Sequence, residues 1–169
     1  MRPLILSGYY PVTEHLKVVV GMKPNREDEQ MFDRYVWLSR GRNVQFEIEE
    51  WWELSRMVNK IRDYFKGEWN SGMITQHYEL LDIMFSGSNT SQKSIMVIIK
   101  SNCESVSFNE EEFNKLVGIR PCVDNHLQWL FPKIMEIERF LSNGLPIKDE
   151  KLEFEYEFFY KKDDAEKTD

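Results

Sequence analysis

The stretch VQFEIEEWWEL, residues 44–54, has a second version later in the chain, VSFNEEEFNKL, residues 106–116. Each begins with two apolar residues around a polar one, continues with an acidic run, and ends with an aromatic residue and a leucine a few positions later. The repeat offset is the shift along the chain that carries Phe46 onto Phe108. Because apolar character is preserved at this one offset along much of the chain, we interpret the sequence as an internal duplication.

Both copies of the repeat, residues 15–66 and 77–127, show the same order of predicted elements. HLKVVVGM and HYELLDIMF are strand-like and are followed by turn residues and by the returning strands FDRYVWLSR and SIMVIIKS. A short strand, NVQFE or SVSFN, then leads directly into a helix with an apolar stripe. Such a unit is too small to bury its apolar face alone, so we expect the two copies to pack on each other. The sequence therefore predicts an α+β fold in which two antiparallel-sheet-plus-helix units form a pseudo-dimer.

Caps and prolines predict where the helices begin and end. Asn109 with Glu112 three residues later predicts a capping box, whereas Glu47, the counterpart of Asn109, is a poorer cap. Pro121 predicts the end of the second repeat's helix, because proline lacks an amide hydrogen and restricts the residue before it. An added helix with no counterpart in the first repeat follows over residues 123–141.

The last residues of the chain form a distinct acidic and aromatic segment. In KLEFEYEFFYKKDDAEKTD, apolar and acidic residues alternate, which predicts an added edge strand with one buried face. The alternative is an acidic-aromatic arm that covers a basic groove or is captured by a partner protein. We therefore expect one pseudo-twofold domain over residues 1–144 and a tail over residues 145–169.

Composition limits the classes of function. The net charge is −7, which argues against coating nucleic acid by bulk attraction. Residues 15–66 nevertheless hold 10 basic and 9 acidic side chains, against 4 and 7 in residues 67–121, so a basic surface must come from the first half. No apolar run is long enough to span a bilayer, and two cysteines are too few for a disulfide framework. These features predict an intracellular protein without membrane partners.

The strand-to-helix junction resembles that of the positive-cofactor-four family of transcriptional coactivators. The spacing from Val106 to Leu116 matches the family's phrase, with Phe113 in the place of its tryptophan, and the first copy keeps that tryptophan as Trp51. The run Ser39-Arg40-Gly41-Arg42 is similar to the family's basic, glycine-containing run before the last strand. The resemblance covers residues 15–66 and 77–127, although the second repeat has Cys103 opposite Gly41.

That family binds single-stranded DNA as a homodimer, on the curved faces of its sheets, and the plant Whirly proteins resemble the same unit duplicated within one chain. The resemblance thus implies a nuclear protein that binds single-stranded DNA, or RNA, in transcription, replication or repair. Such binding needs cations for phosphates and flat rings for stacking. The first repeat supplies most of both, and the predicted nucleic-acid-binding residues are Lys17, Lys23, Arg34, Tyr35, Trp37, Arg40, Arg42 and Lys100.

Other interpretations stay open at this point. Strand alternation puts Tyr35 and Trp37 on one face, and these rings can equally belong to the core, with the arginines as solvated edge residues. The chain can also be a protein-interaction adaptor that has lost DNA binding and exposes an apolar patch around Trp129 and Phe131. A third alternative is an inhibitor whose acidic surface imitates nucleic acid. We predict no enzyme, cofactor or metal site, because the three histidines are isolated and no phosphate-binding or nucleophile motif occurs.

Overall fold

The computed structural model describes residues 1–67, 73–87 and 92–161 of the chain. The strands are β1 (Ile5–Pro11), β2 (Lys17–Pro24), β3 (Phe32–Arg40), β4 (Arg42–Glu47), β5 (Met73–His77), β6 (Leu81–Ser86), β7 (Ser94–Ile99) and β8 (Ser105–Asn109). The helices are α1 (Ile48–Arg56), α2 (Val58–Phe65), α3 (Glu110–Asn143) and α4 (Glu150–Tyr156), which continues as a π-helical turn over Glu157–Lys161.

The strands form two four-stranded antiparallel sheets, in the orders β1-β2-β3-β4 and β5-β6-β7-β8. In the second sheet, Phe85 of β6 lies opposite Ile95 of β7, and Ile95 lies opposite Phe108 of β8. The repeat offset carries the start of β3 onto the start of β7, and the start of α1 onto the start of α3. The predicted α+β class with a repeated sheet unit is therefore confirmed.

The first strand of each sheet was not predicted from the sequence. β1 carries a glycine and ends in a proline, which weaken its strand signal. In the second repeat, the segment HYELLDIMF predicted one strand over residues 77–85, but β5 ends at His77 and β6 begins at Leu81. Tyr78 donates its backbone N–H to the carbonyl of Leu81, so a tight turn occupies the start of the predicted strand.

The chain divides into two compact units that do not coincide with the two repeats. One unit contains residues 1–9, 19–35 and 122–169, and the other contains residues 10–18 and 36–121. The first unit has a mainly aliphatic core with a few buried aromatic rings; its members include Ile5, Val20, Met22, Phe32, Tyr35, Leu127, Leu130, Leu152 and Tyr160. The second unit has an aromatic core that includes Phe46, Trp51, Tyr64, Phe85, Phe108 and Phe113.

Within the second unit, α1 and the first turns of α3 line a common apolar cavity. Four residues of α1 and α2 face four residues of α3 across it: Trp51, Leu54, Ser55 and Val58, and Phe113, Leu116, Val117 and Arg120. The repeat offset carries each member of the first set onto one member of the second. The two repeats therefore contribute the same four positions to this contact, which is the arrangement that a pseudo-twofold helix pair produces.

The predicted capping box at the start of α3 is confirmed. Asn109 Oδ1 accepts the backbone N–H of Glu112 at 2.8 Å, and Glu112 Oε1 accepts the backbone N–H of Asn109 at 3.0 Å. In the first repeat, the backbone N–H of Glu47 donates to Glu50 Oε1 at 2.8 Å. The reciprocal geometry is thus kept on that side as well, with Glu50 in the role of Glu112.

The prediction that Pro121 ends a helix is wrong. α3 runs without interruption for 34 residues, through both Pro121 and Pro132, and ends before Gly144. Both prolines are exposed, whereas Leu116, Val123 and other apolar residues continue a buried stripe along the helix. An interior proline destabilises a helix by about 3 kcal/mol, and burial of several large side chains along that stripe outweighs this amount.

The prediction of a C-terminal edge strand is also wrong, because α4 and the π-helical turn occupy residues 150–161. Asp149 caps α4 by accepting the backbone N–H of Leu152 at 3.0 Å. Leu152 and Tyr160 are buried in the first unit, and the Tyr160 hydroxyl donates to the carbonyl of Pro3. The segment is therefore packed structure, not a free arm, while residues 162–169 lie outside the described part of the chain.

Candidate nucleic-acid interface

The turn between β3 and β4 places two arginines on either side of a glycine. Gly41 has a φ of +78°, and the cysteine at the matching position of the second repeat, Cys103, has a φ of +59°. A left-handed residue at this position allows a tight turn, and glycine adopts it with the least strain. The side chains of Arg40 and Arg42 therefore leave the same short turn.

Arg40 and Arg42 line one cleft of about 210 Å³ in the second unit. The first repeat contributes one wall and the strand β8 of the second repeat contributes the other. The lining residues are Leu38, Arg40, Arg42, Val44, Ser105, Val106 and Ser107. Both β4 and β8 are the last strands of their sheets, so the cleft lies at sheet edges. Two guanidinium groups and two serines in an open cleft form a site suited to an anion.

The two arginines of this cleft differ in their contacts. Arg40 donates from Nη2 to the carbonyl of Ser107 at 3.0 Å and to Glu112 Oε2 at 2.5 Å. Arg42 is exposed, and no hydrogen bond or ion pair joins its side chain to any residue that the structure describes. Arg40 is thus held in a fixed position, and Arg42 is open to a ligand.

The two aromatic residues predicted to stack on bases are buried. Tyr35 is 5% exposed and Trp37 is 8% exposed, and β3 is buried on both faces from Tyr35 to Leu38. Trp37 also donates its Nε1 hydrogen to Gln45 Oε1 at 2.9 Å. In this structure, neither ring offers an open face to a base.

Arg34 and Lys23 are also committed to contacts inside the first unit. Arg34 donates from Nη1 to the carbonyl of Leu127 at 3.0 Å, and its guanidinium carbon lies 5.5 Å from the ring centre of Phe131. Lys23 Nζ lies 4.9 Å from the ring centre of Tyr35. Burial, helped by the positive charges of Arg26 and Arg2, lowers the pKa of Lys23 to about 8.

The remaining predicted cations lie in the second unit and do not line the cleft of Arg40 and Arg42. Lys17 is exposed at the start of β2. Lys100 donates to the carbonyl of Tyr78 and lies 3.4 Å from Asp82 Oδ1. Of the eight predicted residues, the structure brings together Arg40 and Arg42 in one cleft.

The other wall of this cleft was not predicted from the sequence. Ser105 and Ser107 were assigned to a strand and Glu112 to a cap, with no link to Arg40. The repeat offset was the available signal, because a pseudo-twofold pair of repeats brings equivalent strands near the axis that relates them. Val44 and Val106, which both line the cleft, are such an equivalent pair.

Several aromatic side chains on two helices of the first unit are exposed. Phe154 and Phe158 are 67% and 56% exposed, and their rings stack with centres 6.1 Å apart. On α3, Trp129 and Phe131 are 47% and 55% exposed. Exposed aromatic side chains in this number are typical of surfaces that bind other proteins.

Comparison with protein-family models, with curated proteins and with solved structures gave no match. Among the described helices, none combines the length and the apolar character that crossing a bilayer requires. Within residues 1–67, 73–87 and 92–161, no three His, Cys, Asp or Glu side chains are grouped as metal ligands would be.

Proposed function

We propose that this protein binds single-stranded nucleic acid, and that the phosphates enter the cleft of Arg40 and Arg42. The single observation that carries the proposal is that Arg40 and Arg42 both line one cleft of about 210 Å³, together with Ser105 and Ser107. Arginine presents a planar fork of donors that matches a phosphate, and a hydroxyl adds a further donor. The proposed binding relies on phosphate contacts, because the two expected stacking rings are buried.

The scaffold supports the same proposal. An α1–α3 pair built from equivalent positions of two repeats is what joining two subunits of a homodimeric binder into one chain would produce. We therefore propose a relationship to the coactivator-like and Whirly-like fold, and with it a nuclear role in transcription, replication or repair. This relationship rests on the junction sequences and the helix pair.

Fluorescence anisotropy with a labelled oligo-dT, titrated from about 50 to 200 mM salt, tests the proposal. Arg42→Gln is expected to weaken binding and to make the slope of log K against log salt shallower by about 0.7, the value for one phosphate contact on a single strand. Arg56→Gln is the matched control, because it removes the same charge from an exposed position of α1. Absence of binding at about 50 mM salt would contradict the proposal. A parallel titration with oligo-U compares RNA with DNA.

A second candidate function, a protein-interaction adaptor, is favoured by the exposed rings of Phe154 and Phe158. The double variant Phe154→Ser/Phe158→Ser should lose a partner that wild type and the exposed control Lys151→Ser both retain in affinity capture. Binding of that partner, as a purified protein, to wild type and not to the double variant would establish this function. Equal binding to both would exclude these rings as the contact.

A further inference from the structure

The Arg40 guanidinium faces a carboxylate from the second repeat. Arg40 Nη2 and Glu112 Oε2 are 2.5 Å apart, and the Glu112 side chain is 12% exposed against 40% for Arg40. The other oxygen, Glu112 Oε1, accepts the backbone N–H of Asn109 and caps α3. Glu112 therefore has two separate contacts, one that stabilises the helix and one that occupies a cation of the cleft.

We propose that Glu112 is an internal competitor for the phosphate, so that nucleic acid reaches Arg40 only by displacing the Glu112 carboxylate. This inference rests on the proposed function of the cleft. A carboxylate and a phosphate compete for the same guanidinium charge, and the Nη2 group that faces Glu112 cannot serve both anions fully. Arg42, whose side chain has no partner among the described residues, makes the first phosphate contact, and the exchange at Arg40 follows. Glu112 thereby sets how tightly and how selectively a polyanion is held.

The first repeat contains an equivalent carboxylate that lacks this cation. The repeat offset carries Glu50 onto Glu112, and Glu50 makes the same cap, since its Oε1 accepts the backbone N–H of Glu47. Its Oε2 accepts a hydrogen bond from the Ser101 hydroxyl at 2.9 Å instead of facing an arginine. Glu50 and Glu112 thus have the same capping role, and among the described residues Glu112 pairs with a cation whereas Glu50 does not, so Glu50 serves as the control.

The test compares Glu112→Gln with Glu50→Gln in the oligo-dT titration. Each variant removes one negative charge, and glutamine at this position preserves a capping box, so thermal unfolding should show both to be folded. Glu112→Gln is expected to lower Kd by roughly 1.4-fold to fivefold, the range for a partly exposed ion pair. Its salt slope should steepen by about 0.7, because Arg40 is then free to neutralise a phosphate. Glu50→Gln should leave both quantities close to wild type.

Each outcome decides between the two proposals. Binding by Glu112→Gln that is tighter than binding by both wild type and Glu50→Gln supports the competitor. Equal effects of the two glutamine variants, with Arg42→Gln still weakening wild-type binding, overturn the competitor and leave the proposed function in place. Failure of wild type and both variants to bind at about 50 mM salt overturns both.

Discussion

The turn between β3 and β4 and the turn between β7 and β8 share a left-handed residue at the equivalent position but differ in length and in chemistry. The repeat offset carries Arg40, Gly41 and Arg42 of the first turn onto Asn102, Cys103 and Glu104 of the second. Both central residues have positive φ, at +78° and +59°. The second turn has an internal hydrogen bond, in which Asn102 Oδ1 accepts the backbone N–H of Glu104 at 3.0 Å. The two repeats thus share the left-handed residue of the turn, while the pair of arginines occurs in the first copy.

The same comparison holds for the glutamates that reach these turns. Glu112 of the second repeat contacts the turn of the first at Arg40, and Glu50 of the first contacts the turn of the second at Ser101. In both cases the second carboxylate oxygen of the capping glutamate accepts a hydrogen bond from the other repeat's turn, from an arginine in one case and from a serine in the other. Variants at equivalent positions can therefore distinguish contacts that both repeats make from contacts that one repeat makes.

The largest loss of stability is expected at the α1–α3 pair, where the two repeats contribute equivalent residues. Trp51 and Phe113 line the same cavity and are 2% and 1% exposed. Trp51→Ala and Phe113→Ala should each lower the free energy of unfolding by about 3–5 kcal/mol, because each leaves a cavity in a packed core. Urea denaturation monitored by circular dichroism measures both values.

The control for this pair is Trp52→Ala, at a neighbouring position that is 43% exposed. It should change the free energy of unfolding by less than about 1 kcal/mol, because an exposed side chain leaves no cavity when it is shortened. If either core variant were no more destabilising than Trp52→Ala, the helix pair would not be the shared core of the two repeats.

A smaller effect is expected at Glu53 and Lys115, which are equivalent in position but unequal in contacts. Glu53 is 5% exposed and accepts the backbone N–H groups of Glu79 and Leu80 at 3.1 and 2.8 Å. Glu53→Ala should lower the free energy of unfolding by about 2–3 kcal/mol, since two backbone donors lose a buried, charged acceptor. Lys115 forms an exposed pair with Glu111, and Lys115→Ala should cost less than about 0.5 kcal/mol.

The measurement for Glu53 and Lys115 is again urea denaturation. Glu53→Gln is an intermediate variant, because its amide keeps one acceptor oxygen and loses the charge. Similar losses for Glu53→Ala and Lys115→Ala would mean that the β5–β6 turn does not depend on α1.

The smallest changes in stability are expected at the two left-handed turn residues, where the two substitutions should have opposite signs. Nothing lies within 4 Å of where a Cβ would stand on Gly41, so Gly41→Ala should be destabilising through backbone strain alone, by about 1 kcal/mol. Cys103→Gly should relieve the same strain and stabilise by up to about 1 kcal/mol. Differences in thermal midpoint between each variant and wild type check both signs. A stabilising Gly41→Ala would show that the first turn does not require its positive φ.

The repeat, the strands β3 and β8, the capping box at Asn109 and the end of α3 could be predicted because their signals are local. Side-chain alternation, cap spacing and a constant offset each depend on residues close in sequence or on a single shift. The continuation of α3 through Pro121 could not be predicted, because the apolar stripe that compensates for proline is buried by other parts of the chain. The tail was predicted as a strand because its apolar and acidic residues alternate. The same sequence also fits a helix, since Leu152, Tyr156 and Tyr160 are four positions apart and share one helical face.

By itself the sequence determined a duplicated α+β unit and located a turn with two arginines in its first copy. Tertiary structure alone decided which of the predicted residues remain accessible. It buried Tyr35 and Trp37, tied Arg34 to the carbonyl of Leu127, and paired Arg40 with Glu112, 72 positions away. The physical reason is that alternation assigns residues to a face of a strand, but only the elements packed against that face determine whether it meets solvent, core or an opposite charge.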